Sequence, residues 1–410
     1  MTAFRAPKGT EDIMPPDSQW WRRAYRTFDA MCERYGYGLT LTPLFEDTEV
    51  FARGVGGDTE VVEKQMYTFE DKGGRSITLR PEATASVVRA AIQAGGVTTR
   101  FKGSYWGPMF RYERPQKGRN RQFYQAGIEY LGSDSPEADV EVIEFGWKYL
   151  EAMGVADVEV RLNSIGDRAD RSAYREALRE FLEERRDALS EDSQRRIDTN
   201  PMRVLDSKVD AMVVADAPVP IDYLGEEAAA HFAQVRTGRE DVGIAYGIDN
   251  TLVRGLDYYT RTVWEYVPTS YEAAQSSVGG GGRYDGLYEI LGGKPTPGVG
   301  LAMGVARRLL ASPPAEPEPL LDVFVVAAAD DYRPVARALT SQLREAGWRV
   351  DMTDRPKSIK AQFKDADRAR AGAVFVIGAE WDEGAVTAKR LDTGEQGVIA
   401  VKEIDAWLRA

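Results

Sequence analysis

The chain has 410 residues with 43% apolar side chains, which supports two or three ordinary globular cores. One cysteine, Cys32, and one histidine, His231, exclude an internal disulfide and all but exclude a Cys/His zinc site; a Ser–His or Cys–His triad is left only if His231 supplies it. There are 53 basic residues against 65 acidic ones, a net charge of −12, so affinity for nucleic acid has to come from local clusters.

The amino-terminal MTAFRAPKGTED has no apolar h-region, and the longest apolar runs, such as 323–329, are too short to cross a bilayer. A reducing cytoplasm, with no membrane partner, fits these features. Residues 1–15 read as an extended arm with a Lys8-Gly9 turn. Asp17 or Ser18 can cap a helix running to about Tyr35, in which Trp20, Ala24, Phe28, Met31 and Tyr35 share one apolar face. Gly36 ends it. The run 39–45 (LTLTPLF) reads as a strand in which Pro43 forbids a fully paired central position. Helix and strand together suit either a dimer-forming element or an internal edge.

Strands are expected at 65–69 and 76–80, then a helix over 83–95. Aromatic flanks at 105–110 and 122–129 surround RYERPQKGRNR, 111–121, and predict a hairpin with Pro115 and Gly118 in its turn. An amphipathic helix follows at 137–153. From about 167 to 235 Arg, Glu and Ala dominate, strand signals thin out, and Asn200-Pro201 breaks the run, which reads as a helical insertion in a larger α+β domain. His231 falls in EEAAAHFAQV, where a packing or surface role is expected. Strands resume at 242–246 and 262–267. Four prolines in 312–319 mark a linker. Beyond it, strands at 321–327, 349–353 and 373–377 alternate with helices at 334–346 and 358–371, which predicts a small α/β domain with a largely parallel sheet.

Several segments look unlike core filler. The hairpin tip carries Arg111, Arg114, Lys117, Arg119 and Arg121 against Glu113 alone, and can be a solvated loop or a holder of polyphosphate or nucleic acid. A second basic cluster spans 355–370. In LRPEATA, 79–85, Arg80 and Glu82 stand where a strand meets a helix; Glu82 can serve a site or merely favour the helix dipole. In VRGLDYYTRTVWE, 253–265, Arg254 and Glu265 flank Tyr258 and Tyr259, which face opposite sides if the segment is extended. VGGGGRYDGL, 278–287, combines glycines that permit close backbone approach with Arg283 and Tyr284; it is not a Walker P-loop. In PGVGLAMGVARRL, 297–309, close packing explains the glycines but not Arg307. Arginines, carboxylates and tyrosines, with no protein nucleophile, suit in-line transfer at phosphorus to a nucleophile carried by the substrate.

These segments, in this order, resemble the class II aminoacyl-tRNA synthetases and, among them, the histidyl-tRNA synthetases. FRYERPQKGRNRQFYQAGIE resembles motif 2 and GVGLAMGVARRL motif 3. LDYY and GGRYDGL resemble the histidine-specific signatures, and PKGTEDIMP and NPMRVLDSK look family-typical. The resemblance implies an α+β catalytic domain on an antiparallel sheet over 1–311, with the helical insertion at about 167–235. A linker at 312–320 and a C-terminal α/β anticodon-binding domain at 321–410 would follow. It implies a homodimer built on 18–46, and formation of histidyl-adenylate from L-histidine and ATP with Mg²⁺ before transfer to tRNA(His).

Carried over by position, Arg111, Arg254 and Arg307 would be the catalytic cations. ATP would be bound by Arg111 at the α-phosphate, Glu113 at the adenine side, and Arg119 and Arg307 at the γ-phosphate. Histidine would be surrounded by Glu82, Thr84, Gln125, Glu129, Arg254, Tyr258, Tyr259 and Tyr284. Arg114 and Gln116 would meet the acceptor stem, the basic helix near 355–370 would meet the anticodon end, and no metal would be held by the protein itself. The chain departs from the family pattern at Ala83, Tyr112, Asn120, Tyr124, Ala306 and Arg308. Two rivals are a non-catalytic histidine-binding regulator of an ATP phosphoribosyltransferase, which would lack 321–410, and a pure RNA-binding module, which has no use for Glu82, Glu129 and Tyr259.

Overall fold

The computed structural model describes residues 4–57, 59, 61–116, 118–155, 157–205, 207–269, 277–311 and 319–409. Lys117 of the basic tip, most of the proline-rich linker and the side chain of Arg308 lie outside the described residues. The chain divides into two compact units, residues 1–313 and 314–410.

The strands of the first unit are β1 (Gly38–Leu39), β2 (Phe45–Asp47), β3 (Tyr67–Glu70), β4 (Ser76–Leu79), β5 (Phe101–Phe110), β6 (Gln122–Leu131), β7 (Val158–Ser164), β8 (Tyr246–Ile248), β9 (Thr260–Pro268), β10 (Gly279–Arg283) and β11 (Gly298–Gly304). Among the described residues eight of them form one sheet, in the order β1-β5-β6-β11-β10-β9-β7-β8. The pairings from β5 across to β7 are antiparallel, and the parallel ones are the outermost, β1 with β5 and β7 with β8. A small antiparallel sheet, β2-β4-β3, stands apart.

One face of the large sheet carries Ala126, Ile128, Leu301, Met303, Trp264 and Tyr266, all buried in the main core. Successive strand residues alternate faces, so these positions point together. The helix Ser18–Tyr35 covers them with Ala24, Phe28 and Met31, and the Phe28 ring lies 5.5 Å from Tyr149 and 5.8 Å from Trp106. Tyr149 belongs to a second covering helix, Pro136–Ala152, whose Ser135 cap accepts from the Glu137 amide at 3.3 Å. Burying each large apolar side chain here contributes about 2 kcal/mol. Asp17 occupies the cap position of the first helix but makes no side-chain cap bond; Gly36, at φ 74°, closes it in the left-handed conformation that glycine adopts most cheaply.

The insertion has a core of its own from the helices Arg168–Glu183 and Glu191–Thr199, around Tyr174, Leu178, Leu182 and Ile197. Its last helix, Glu226–Asp241, instead sends Phe232 and Val235 into the core of the main sheet.

Three expectations fail locally. The single strand at 39–45 is two short strands in different sheets, because Pro43 has no amide for a continuous ladder. The strand expected at 242–246 begins only at Tyr246, after Gly243 turns with φ 72°. The C-terminal sheet is mixed rather than largely parallel. Its strands are β12 (Leu321–Ala327), β13 (Val350–Met352), β14 (Ala371–Ile377), β15 (Ala385–Arg390) and β16 (Gln396–Ala400), in the order β13-β12-β14-β15-β16. The first three run parallel, joined through the helices Arg333–Glu345 and Ile359–Arg368. The last two form a hairpin, whose short turn through Gly394 at φ 75° forces antiparallel pairing.

Candidate active site

The uncovered face of the large sheet is made of small residues. Register places Gln125 beside Gly304 and Gly107, Gly127 beside Ala302, and Glu129 beside Gly300; Gly280 lies between Ala302 and Glu265. A Cβ on Gly300 would collide with the Glu129 carboxylate, and one on Gly280 with the Trp264 carbonyl and then the Arg254 guanidinium. Here the glycines serve close approach: a ligand can lie almost on the backbone of the sheet.

Above this floor opens a cleft of about 240 Å³. Arg111, Arg119, Arg254 and Arg307 all line it, with Glu82, Glu113 and Glu265 as the carboxylates, and with Thr84, Gln125, Tyr258 and Tyr259. The expected catalytic arginines therefore converge although they lie far apart in the chain. Glu82 stands before the helix Thr84–Gln93 and accepts from the Thr84 and Ala85 amides at 2.7 and 2.9 Å. Those two donors at a helix start explain why a carboxylate can stand there. Burial nevertheless raises the Glu82 pKa.

Arg254 pairs with Glu265, across from its own loop on β9. Burial opposes its charge, but Glu265 together with Tyr259 and Tyr258 outweighs it and the Arg254 pKa is raised. Arg111 donates to the Pro81 carbonyl at 2.9 Å and lies over the Phe123 ring at 5.2 Å. Burial lowers the pKa of Arg111; burial, then Arg119, lowers that of Arg307. Arg119 meets Glu113 at 3.2 Å, and Arg307 donates to the Gly118 carbonyl at 3.3 Å. These guanidiniums press on one another with few carboxylates between them, an arrangement that phosphate oxygens would relieve.

Glu129 and Tyr284 lie behind the cleft wall, wholly buried. The Tyr284 hydroxyl donates to Glu129, and the Thr84 hydroxyl donates to its other oxygen at 2.7 Å. Burial pushes the Glu129 carboxyl up to about 8. Tyr258 and Tyr259 do not face opposite sides: the segment turns at 257–258, so both rings are buried against the cleft, 4.7 Å apart.

The basic tip divides its cations. Arg111 and Arg119 enter the cleft, Arg114 and Gln116 are exposed on the loop, and Arg121 lies on the Tyr112 ring at 3.8 Å. The amino-terminal arm straps this loop, since the Gly9 carbonyl accepts the Arg121 amide at 2.7 Å. Arg80 and Arg283 are structural. Arg80 ties β4 to the Pro108 carbonyl at 3.0 Å, and Arg283 is buried in an ion pair with Asp139. His231 is buried 3.6 Å from Asp139 and does not line the cleft. In the sequence Glu265 is only a flank of its segment; its pairing with Arg254 is decided by the turn of the loop 253–259 back onto β9. Of the departures from the family pattern, Asn120, Tyr124 and Ala306 line the cleft.

A family model described as histidyl-tRNA synthetase matches residues 9–307, and one described as an anticodon binding domain matches 322–410. The chain belongs to the histidyl-tRNA synthetase family. It is 45% identical over 403 residues to the histidine–tRNA ligase of Halothermothrix orenii, covering 96% of each chain. The corresponding ligase of Lysinibacillus sphaericus is 43% identical over 418 residues, at 99% of each. The apo histidyl-tRNA synthetase of S. aureus superposes with a TM-score of 0.80 at 37% identity, over 100% of both chains. In this synthetase the antiparallel sheet is thus the class II catalytic platform, and the second unit is the anticodon-binding fold.

Proposed function

We propose that the chain charges tRNA(His) with L-histidine through a histidyl-adenylate. The convergence of Arg111, Arg254 and Arg307 on one glycine-floored cleft carries this reading. In the first step a carboxylate oxygen of histidine attacks the α-phosphorus of ATP; the bond to the bridging β-oxygen breaks and pyrophosphate leaves. Arg111 and Arg254 neutralise the charge that builds on the α-phosphoryl oxygens, while Arg119 and Arg307 hold the departing phosphates. Glu265 keeps Arg254 oriented. Glu113 faces the adenine side.

Glu82 and Thr84 take the histidine amino group. The imidazole end falls to Gln125, Tyr258 and Tyr259, backed by Glu129 and Tyr284. A carboxyl pushed up to about 8 holds its proton at neutral pH and can donate a hydrogen bond where a carboxylate cannot. Buried polar groups left unpaired by the wrong amino acid cost more than a misfit in an apolar pocket, which favours selectivity.

Mg²⁺ would come with the nucleotide as the counter-ion of its phosphates, in a cleft whose lining includes the carboxylates Glu113 and Glu265. In the second step the acyl group moves to the tRNA 3′ end, with exposed Arg114 and Gln116 toward the acceptor stem and the 359–368 helix toward the anticodon end. A cytoplasmic location suits this work; among the described residues no helix is long and apolar enough to cross a membrane.

A homodimer is part of the proposal. Leu39, Leu41, Leu44 and Phe45 are between 43% and 78% exposed, on β1, on β2 and on the segment between them, β1 and β2 being edge strands of their two sheets. Exposed apolar side chains beside an unpaired edge are a natural place for a second copy. The test of the reaction is ATP–pyrophosphate exchange with Mg²⁺ over a panel of amino acids. Exchange with histidine alone is expected; none with histidine, in folded protein, would overturn the reading in favour of a non-catalytic histidine binder.

A further inference from the structure

Behind Arg254, on the side away from the sheet floor, a second cavity of about 490 Å³ opens between the helix Arg168–Glu183, the turn Pro201–Val204 and the loop 253–259. It shares Arg254, Leu256 and Tyr259 with the first cleft as a common wall. Its charged lining is Arg168, Arg171, Arg175, Arg203 and Arg254, with Asp257 as the sole carboxylate. Positions 168, 171 and 175 recur at three and four residues, so one helix face presents all three guanidiniums to this space.

Other arginines of the insertion are paired: Arg179 meets Asp198 at 3.5 Å, and Arg186 meets Glu183 at 2.7 Å. Among the described residues Arg168, Arg171 and Arg175 make no ion pair. Arg171 is turned inward; its Nη1 donates to the Tyr259 carbonyl at 2.8 Å, while its buried Nε has no partner among the described residues. Burial and then Arg175 pull the Arg171 pKa down. Arg203, only 17% exposed, takes up Asp257 at 3.3 Å, so the single acid is already engaged.

A solvated basic helix face would point its arginines to water and would not bury one beside another. In a chain of net charge −12, gathering guanidiniums around a hollow costs free energy unless an anion occupies it. We propose that this cavity is an anion-binding site, distinct from the candidate ATP cleft, that takes a phosphate-bearing ligand. Planar guanidinium forks match phosphate oxygens in pairs, and the exposed Arg168 and Arg175 stand at the mouth to receive them. The ligand is either a phosphodiester of a single-stranded RNA end entering beside Arg254 or free inorganic pyrophosphate.

The test fills the first cleft of the full chain with histidine and a non-hydrolysable ATP analogue. Inorganic pyrophosphate and a short single-stranded RNA ending in CCA are then titrated separately and in competition. At least one probe is expected to bind, and the charge-reversed pair Arg168→Glu/Arg175→Glu to weaken it roughly tenfold or more. Histidine-dependent exchange, which reports folding and the first cleft, stays unchanged in that variant, and Arg168→Lys/Arg175→Lys keeps most of the binding. Pyrophosphate that RNA does not displace assigns the site to the inorganic anion; RNA displaced by pyrophosphate assigns it to a phosphodiester. Binding of neither probe, or binding indifferent to charge reversal, overturns the proposal. The choice of blocking ligands rests on the proposed reaction, but the readout does not. Absent exchange in the native chain would sink that reaction and leave the anion titration, run without blockers, to decide this site.

Discussion

Arg254 donates to Glu265 while lining both the cleft and the cavity behind it, so its position is held before any substrate arrives. Replacing it with alanine should lower histidine-dependent exchange by ~10²–10³-fold, the usual cost of one fixed charge-stabilising donor. Near-normal exchange in a folded Arg254→Ala protein would show the cation to be dispensable. Glu129 gives a pH prediction. Its carboxyl sits at about 8 when folded, against an ordinary value of 4.5. Between these values the folded chain holds a proton that the unfolded chain releases, so rising pH favours unfolding through this group. The melting temperature of the native protein should therefore fall relative to Glu129→Gln as pH rises through that window, by several degrees. Parallel melting profiles would mean that Glu129 ionises normally. The residue types of the site were legible in the sequence, but the partners were not. Glu129 and Tyr284 meet only because distant strands are in register, and Arg254 meets Glu265 because its loop turns back onto β9.

The glycines of β10 and β11 lie in the middle of an antiparallel sheet, where they would ordinarily weaken it. They persist where a side chain would occupy the ligand's floor. Gly300→Ala should push against the Glu129 carboxylate and cost about 1–3 kcal/mol of stability, as overpacking does. It should also raise the KM for histidine more than that for ATP. Equal stability and an unchanged histidine KM would show that Gly300 is not part of the ligand's floor. The hairpin of β5 and β6, with its basic tip, was legible from its aromatic flanks and turn residues. The hairpin of β15 and β16 was not foreseen, since the preceding strand–helix alternation pointed to continued parallel pairing. The run 39–45 misled for a related reason: its alternating apolar residues suit a strand, but a proline and two separate sheets divide it.

At the scale of the molecule, the exposed Leu39, Leu41, Leu44 and Phe45 predict association. Light scattering should give a mass near twice the 45.5 kDa of one chain. Leu41→Arg, on a side chain 78% exposed, should shift the protein toward the single-chain mass without unfolding it. A single-chain mass for the native protein would refute the dimer, and an unaltered dimer in the variant would move the interface elsewhere. The sequence marks a boundary by its change of pattern around a proline-rich stretch, and the chain divides into compact units 1–313 and 314–410. What the insertion contributes was not, because its arginines look like those of any solvated helix until their surroundings are known.

The order of residues was enough to read the available chemistry: arginines, carboxylates and tyrosines without a histidine base or reactive thiol, on motifs resembling one synthetase family. That much is local, carried by residue type and short spacing. Folding alone settled which arginines share a cleft, which bind structure and which surround a second hollow. A side chain's direction depends on strand register and helix packing between segments more than a hundred residues apart, and no local pattern encodes that.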